Sequence, residues 1–203
     1  MIARKCHTTT VRLAAGVALT VMACAGSSVT PAWGRQAQPA SPPTVAAPAP
    51  DFTLTALDGT TLRLATVLAR GPVVLIVGRG WVGYQCPFCN RQFGDFLRHA
   101  PEIEKAGARV LWVYPGPAEQ VQERAKEFAA NRAFPSNFTV LLDPGYAFTL
   151  RYGLRWDAPN ETAYPSTFVI DRGGVVRFAR VSRTHGDRTP ATDVLAALAA
   201  LKK

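Results

Sequence analysis

Apolar and polar positions alternate in short blocks along most of this chain, and the period changes from block to block. Phe52-Thr53-Leu54 and Thr61-Leu62-Arg63-Leu64 alternate as half-buried strands do, and Asp58-Gly59 between them is a hairpin turn signal. Pro72 to Val77 (PVVLIV) is an unbroken β-branched run, which predicts a strand covered on both faces, as in a parallel sheet. Ala108 to Tyr114 predicts a second such strand, and Thr139 to Leu142 a third. Thr167 to Ile170 and Val175 to Val181 predict two more, joined through Asp171-Arg172-Gly173-Gly174. Helical spacing fills the gaps. One helix opens at Cys86 and carries Phe93, Phe96 and Leu97, with Pro101 kinking or breaking it before Gly107. Glu119 to Phe134 places Val121, Ala125, Phe128 and Ala129 on one stripe. A short helix near Tyr146 to Tyr152 and a terminal one over Ala191 to Leu201 complete the set. This order predicts an α/β domain with an N-terminal β-hairpin and a central mixed sheet flanked by helices. The sheet has parallel strands joined by crossovers and one antiparallel strand from the last hairpin.

The N-terminus reads differently. Arg4, Lys5 and Arg12 surround an apolar stretch, Leu13 to Ala23, of only eleven residues. A membrane-spanning helix needs roughly 20, so residues 1–25 read as a secretory signal, and the protein is expected to be exported, to a bacterial periplasm. Val21-Met22-Ala23-Cys24 resembles a lipobox, which makes Cys24 a candidate lipid anchor; cleavage after Ala25, or near Ala32-Trp33-Gly34, fits as well. Residues 26–48 are rich in Pro and Ala without apolar periodicity, as an extended linker would be. The domain then occupies residues 49–203.

Charge adds little. The net +9 includes four basic residues and no acid in the first 40 positions; the rest holds 19 basic and 14 acidic residues, scattered. There is no basic stripe with a reading element, so nucleic acid is not an expected partner.

The cysteines change the picture. Of four, Cys6 and Cys24 belong to the leader region, leaving only Cys86 and Cys89 in the domain. A structural zinc would need two more ligands, and His99 and His185 stand alone, so no metal site is expected. A disulfide closing so small a loop restrains the unfolded chain little and is a poor staple. Reversible thiol–disulfide redox remains. Cys86 sits where the loop Gly78 to Gln85 becomes a helix, and a helix N-terminus favours the thiolate. Pro87 suits the first helical position, where its missing N–H is no loss. Cys89 lies one turn on. Cys86 is therefore expected to be the exposed nucleophile and Cys89 the more buried, resolving thiol.

Other residues could support the pair. Arg79 or Arg151 could bring positive charge to Cys86; Trp81 and Tyr84 could form a docking surface or simply pack. His185 has no identifiable partner and reads as a surface residue. Asn160-Glu161-Thr162 matches a glycosylation pattern that a bacterial-style leader makes idle. Pro165, in Tyr164-Pro165-Ser166-Thr167-Phe168, marks a strand start.

Taken together, Ala49-Pro50-Asp51-Phe52-Thr53-Leu54, Asp58-Gly59, Val74 to Val77, Tyr84-Gln85-Cys86-Pro87-Phe88-Cys89 and Thr167 to Asp171 resemble the AhpC/TSA branch (peroxiredoxin-like redoxins) of the thioredoxin superfamily. The resemblance covers about residues 48–203 and implies a thioredoxin-like fold. It also implies that Pro165 is cis and packs against the redox pair. Two positions depart from that branch. Peroxiredoxins carry Pro-x-x-x-Thr-x-x before the peroxidatic Cys, and the Pro and Thr places here are Arg79 and Gly83. They also use an Arg before the Thr-Phe-Val-Ile-Asp strand, where this chain has Pro165, as thiol–disulfide exchangers do. The leading expectation is an oxidoreductase that exchanges disulfides with protein substrates and is re-reduced by a partner, with no bound cofactor. A thiol peroxidase, with Cys86 peroxidatic and Cys89 resolving, is the alternative, favoured by the loop length from Val77 to Cys86. A module holding a soft metal such as Cu(I) on the pair is a third, disfavoured by the lack of Met near it.

Overall fold

A computed structural model describes residues 41–201. The leader, Cys24 and the first part of the linker lie outside the described residues. From Thr44 the chain already contacts the domain: Ala46 N–H donates to Val176 O and Ala49 N–H to Gly174 O, both at 2.8 Å.

The centre is a seven-stranded sheet in the order β2-β1-β5-β4-β3-β6-β7. The three continuous apolar runs form its parallel core: β3 (Val73–Val77), β4 (Arg109–Gly116) and β5 (Phe138–Pro144). Every residue of β3 is fully buried, as expected of a strand covered on both faces. The N-terminal hairpin, β1 (Thr53–Ala56) and β2 (Thr61–Arg63), adds antiparallel strands beside β5.

The last hairpin, β6 (Ser166–Ile170) and β7 (Val176–Val181), sits at the other edge. The expected antiparallel strand of this hairpin is β6, which lies directly beside β3 with Ser166 opposite Val77 and runs against the parallel core. β6 is buried throughout, so it belongs inside the sheet, while the half-exposed β7 takes the edge.

Helices cover both faces. One core gathers Phe93 and Phe96 of α2 (Pro87–Arg98), Ile103 of α3 (Ala100–Lys105), Phe128 of α4 (Val121–Ala129) and Leu198 of α6 (Ala191–Ala200) against Trp112 and Tyr114. The other packs α1 (Leu64–Leu68) and α5 (Ala147–Arg151) on Leu75, Val77 and Phe168. α1 is an element the sequence pattern does not announce, and only its first residue, Leu64, falls in an expected strand; five residues are too few to display a helical period. Pro101 does break the α2 stretch, but it lies in the first turn of a new helix, α3. α4 stops at Ala129 rather than running to Phe134, because Ala130 is extended and Asn131 adopts φ +60°. Arg132 then donates to Phe128 O at 2.6 Å and lays its guanidinium over Phe93 and Phe128.

Phe93 is the hub of this face, with edge-on contacts to Trp112, Phe128 and Phe138 at centroid distances of 4.9, 4.8 and 5.1 Å. It lies one turn beyond Cys89, so its packing sets the position of the helix that carries both thiols. Phe93→Ala should cost about 3–5 kcal/mol, read from equilibrium urea unfolding; a loss below about 1 kcal/mol would mean the cluster repacks and does not anchor α2.

Candidate active site

The parallel core ends where β3 and β4 deliver their C-terminal residues, and α2 starts there. Cys86 is the N-cap of α2, in extended backbone, and Pro87 occupies the first helical turn as its ring geometry favours. The helix points its free N–H groups at the cap. Cys89 N–H donates to Cys86 Sγ at 3.4 Å, and Arg188 Nη2 lies 3.8 Å from the same sulfur. Cys89 Sγ accepts the main-chain N–H of Arg79 at 3.2 Å. Arg79 lies two residues past the end of β3, and the next residue, Gly80, has φ +70° with Pro115 O so close that a Cβ there would clash with it. Only glycine lets the loop pass this close to the end of β4.

The two thiols are free and their environments separate them. Hydrogen bonding from the Cys89 thiol lowers the Cys86 pKa to about 5; burial opposes this, and Cys89 N–H, Arg188 and Arg79 assist. Burial pushes Cys89 well above the ordinary thiol value, and the neighbouring Cys86 adds to it. At neutral pH Cys86 is therefore the thiolate and Cys89 the protonated thiol that donates to it. The expected roles are thus distinguished by charge, but not by exposure. Cys86 is 1% exposed and Cys89 2%. The expectation of an exposed Cys86 fails because the β7–α6 connection, residues 182–190, lies along α2. Gln92 Nε2 donates to Thr189 O at 3.2 Å, Ala191 N–H donates to Asp95 Oδ2 at 2.8 Å, and Gly186 lies against the Phe88 ring.

Arg188 is the cation nearest Cys86; Arg79 adds a smaller charge effect on it, and Arg151 does not reach it. Arg151 belongs to α5, on the opposite face of the sheet. Arg79 is 3% exposed, and its guanidinium is turned to Glu161 in a two-pronged pair at 2.6 and 3.0 Å. It also donates to Asn160 O and to Tyr84 Oη, both at 2.7 Å. The Thr162 hydroxyl donates to Arg79 O. Glu161 Oε1 also meets His185 Nε2 at 2.8 Å, and His185 O accepts Arg188 Nε at 2.7 Å. Burial raises the Glu161 pKa, but hydrogen bonds from Arg79 and His185 outweigh it and leave the carboxyl below its ordinary value. A continuous polar chain thus runs from Arg79, at Cys89, through Glu161 and His185 to Arg188, at Cys86. Glu161, His185 and Arg188 were not recognised from the sequence. They lie on two loops with no period and no motif, and their only signal is the geometry. Tyr84 is half exposed and anchored by Arg79; Trp81 packs under the Arg124 guanidinium at 4.5 Å. Among the described residues, no group of three or more His, Cys, Asp or Glu side chains could hold a metal ion.

Residues 45–179 match the family model described as the AhpC/TSA family. The chain belongs to the AhpC/TSA family. It is 30% identical over 161 residues to alkyl hydroperoxide reductase E of Mycobacterium tuberculosis, covering 77% of this chain and 98% of that one. It is 30% identical over 130 residues to the chloroplastic peroxiredoxin Q of rice, covering 64% of this chain but only 55% of that relative's length. Peroxidoxin BcpB of M. tuberculosis superposes with a TM-score of 0.66 at 24% identity, over 79% of this chain and 99% of that one. M. tuberculosis AhpC superposes with a TM-score of 0.64 at 18% identity, over 80% and 94%. The fold is thioredoxin-like.

Within this AhpC/TSA domain, Pro165 is trans; no described peptide bond is cis, contrary to what the resemblance implied. The residue is drawn into the ladder instead: Pro165 O accepts Ser182 N–H at 2.8 Å and Ser166 follows in register with Val77. The family's hydroxyl and Arg places are Gly83 and Pro165. Among the described hydrogen bonds, Cys86 Sγ has Cys89 and Arg188 as partners and no hydroxyl.

Two measurements test this site. Iodoacetamide alkylation of the Cys86 peptide, followed by mass spectrometry against pH, should have its midpoint at about 5. At pH 6 such a thiol is about nine-tenths thiolate, against under about 1% for an ordinary one, so reactivity should persist in mild acid and vanish as pH falls through 5. Cys89→Ala should raise the midpoint, and Arg188→Ala should raise it by less; a midpoint near the ordinary ~8.5 in the native chain would contradict the assignment. Separately, Glu161→Ala leaves the buried Arg79 charge without its carboxylate and should cost about 3–5 kcal/mol in urea unfolding. A loss under about 1 kcal/mol would show that water reaches and solvates Arg79.

Proposed function

We propose that this protein is an exported thiol–disulfide oxidoreductase in which Cys86 attacks and Cys89 resolves. The observation that carries the reading is the composition of the shell around Cys86. A thiol, an amide N–H and a guanidinium hold the thiolate, and Gly83 stands where a peroxidase would present a hydroxyl to peroxide. Membership of a family of thiol redox proteins supports the oxidoreductase class. The basic, short apolar leader supports export.

The steps follow from the charges. The Cys86 thiolate attacks one sulfur of a substrate disulfide; that S–S bond breaks, and one half leaves as a thiolate that takes a proton from solvent. A mixed disulfide on Cys86 remains. Cys86 is then neutral, and its charge no longer holds the Cys89 proton in place. Arg79 N–H and Arg188 favour the Cys89 thiolate at that point. Cys89 attacks Cys86 Sγ, forms the Cys86–Cys89 disulfide and releases the second thiol. Two electrons pass from the protein to the substrate, and a reducing partner restores the dithiol.

One observation favours a peroxidase instead: a sulfur 1% exposed admits a peroxide more easily than a bulky disulfide. Its relatives' names point the same way. The two readings separate on the Cys89→Ser chain, with Cys86 followed by peptide mass spectrometry. Hydrogen peroxide should oxidise Cys86 within about tenfold of the rate for a free thiolate of matched pKa, and a disulfide should leave a trapped mixed disulfide on Cys86. A peroxide rate many orders faster would replace the exchange reading with a peroxidase.

A further inference from the structure

A groove of about 390 Å³ runs between α2 and the β7–α6 connection and reaches Cys86 through Arg188. Phe88, Arg91, Gln92, Asp95, Arg98 and Arg188 line it. Arg188 is common to groove and sulfur: Nη2 lies 3.8 Å from Cys86 Sγ, while Nη1 reaches Gln92 Oε1 at 3.5 Å. A disulfide that reaches Cys86 from this side must lay its remaining atoms along the groove.

The charge of the groove is lopsided. Three guanidinium groups face one carboxylate, and that carboxylate is already engaged: Asp95 accepts Ala191 N–H at 2.8 Å and Arg98 Nη2 at 3.2 Å. Arg91 sits over the Phe88 ring at 5.5 Å, and among the described salt bridges neither Arg91 nor Arg188 has a carboxylate. Unneutralised guanidinium forks beside a partly exposed aromatic wall suit a ligand with carboxylates on a short aliphatic frame. The volume is that of a small-molecule site. A sulfur exposed by only 1% calls for a slender substrate.

We propose that this groove selects disulfides by their carboxylates, so that the preferred substrate is a small anionic disulfide. The inference rests on the exchange reading above and specifies its substrate class. Arg91 draws a carboxylate in, Arg98, which already holds Asp95, adds positive charge at the far end of the groove, Phe88 packs against the aliphatic part, and one substrate sulfur comes to Cys86. The chemistry is the exchange already described, with two electrons passing to the substrate and two small thiols released.

The test compares three disulfides on the reduced full chain at neutral pH and low salt: oxidised glutathione, bis(2-hydroxyethyl) disulfide and cystamine, which are anionic, neutral and cationic. Formation of the Cys86–Cys89 disulfide is read by peptide mass spectrometry. Each rate is divided by that of a small free dithiol with the same reagent, to remove intrinsic reactivity. Oxidised glutathione should exceed cystamine by about tenfold or more, with the ratio falling as salt is added. In Arg91→Glu/Arg98→Glu, with the neutral disulfide as internal reference, the ratio should fall below about two. Equal normalised rates for the three reagents, or a preference that survives the double substitution, would overturn the proposal while leaving disulfide exchange intact. Failure of all three to oxidise the pair would overturn the exchange reading itself, and the substrate assignment with it.

Discussion

A negative charge on Cys86, almost wholly removed from water, is the constraint to which the rest of the site answers. Burying an unpaired anion costs several kcal/mol or more, and a thiol so placed would ordinarily stay protonated. Here the cost is offset by donors that the fold brings to one sulfur: the Cys89 thiol, the Cys89 N–H and Arg188. The first two come from one helical turn, so the C-x-x-C spacing supplies both the resolving group and part of the stabilisation of the nucleophile. Cys89, equally buried and beside a negative neighbour, keeps its proton while Cys86 carries the charge.

The sheet supplies the positions. β3 ends beside the start of α2, and the residue after Gly78 turns its N–H to Cys89. β6, inserted next to β3, leads in from the loop that carries Glu161, while the connection after β7 carries His185 and Arg188. Glu161 joins the two sides. Its pair with Arg79 is a buried one, and such pairs add little net stability because desolvation of both charges is repaid only in good geometry. What the pair does is hold the loops in one arrangement, so that Arg188 arrives at Cys86 from a segment about one hundred residues downstream.

Two departures from the AhpC/TSA pattern work together. Glycine stands at the family's hydroxyl place and proline at its Arg place, and a guanidinium from a different loop, Arg188, lies beside the sulfur. That cation comes from the β7–α6 connection, and the same guanidinium lines the groove along α2.

Much of this was legible in the sequence. The unbroken PVVLIV and ARVLWVY runs determined the parallel core, because only a doubly covered strand is apolar on both faces. Asp58-Gly59 determined the N-terminal hairpin, and Cys86-Pro87-Phe88-Cys89 determined the helix start, because N-capping and proline preference are local. The short α1, the early end of α4 and the place of β6 beside β3 were not legible: five residues show no period, and a strand's neighbour is chosen by long-range pairing. The burial of Cys86, the trans Pro165, and the assembly of Arg79, Glu161, His185 and Arg188 were decided by the tertiary structure alone. A hydrogen bond between side chains about 80 residues apart leaves no local pattern, and a loop covers a sulfur only once the sheet has set both of its ends.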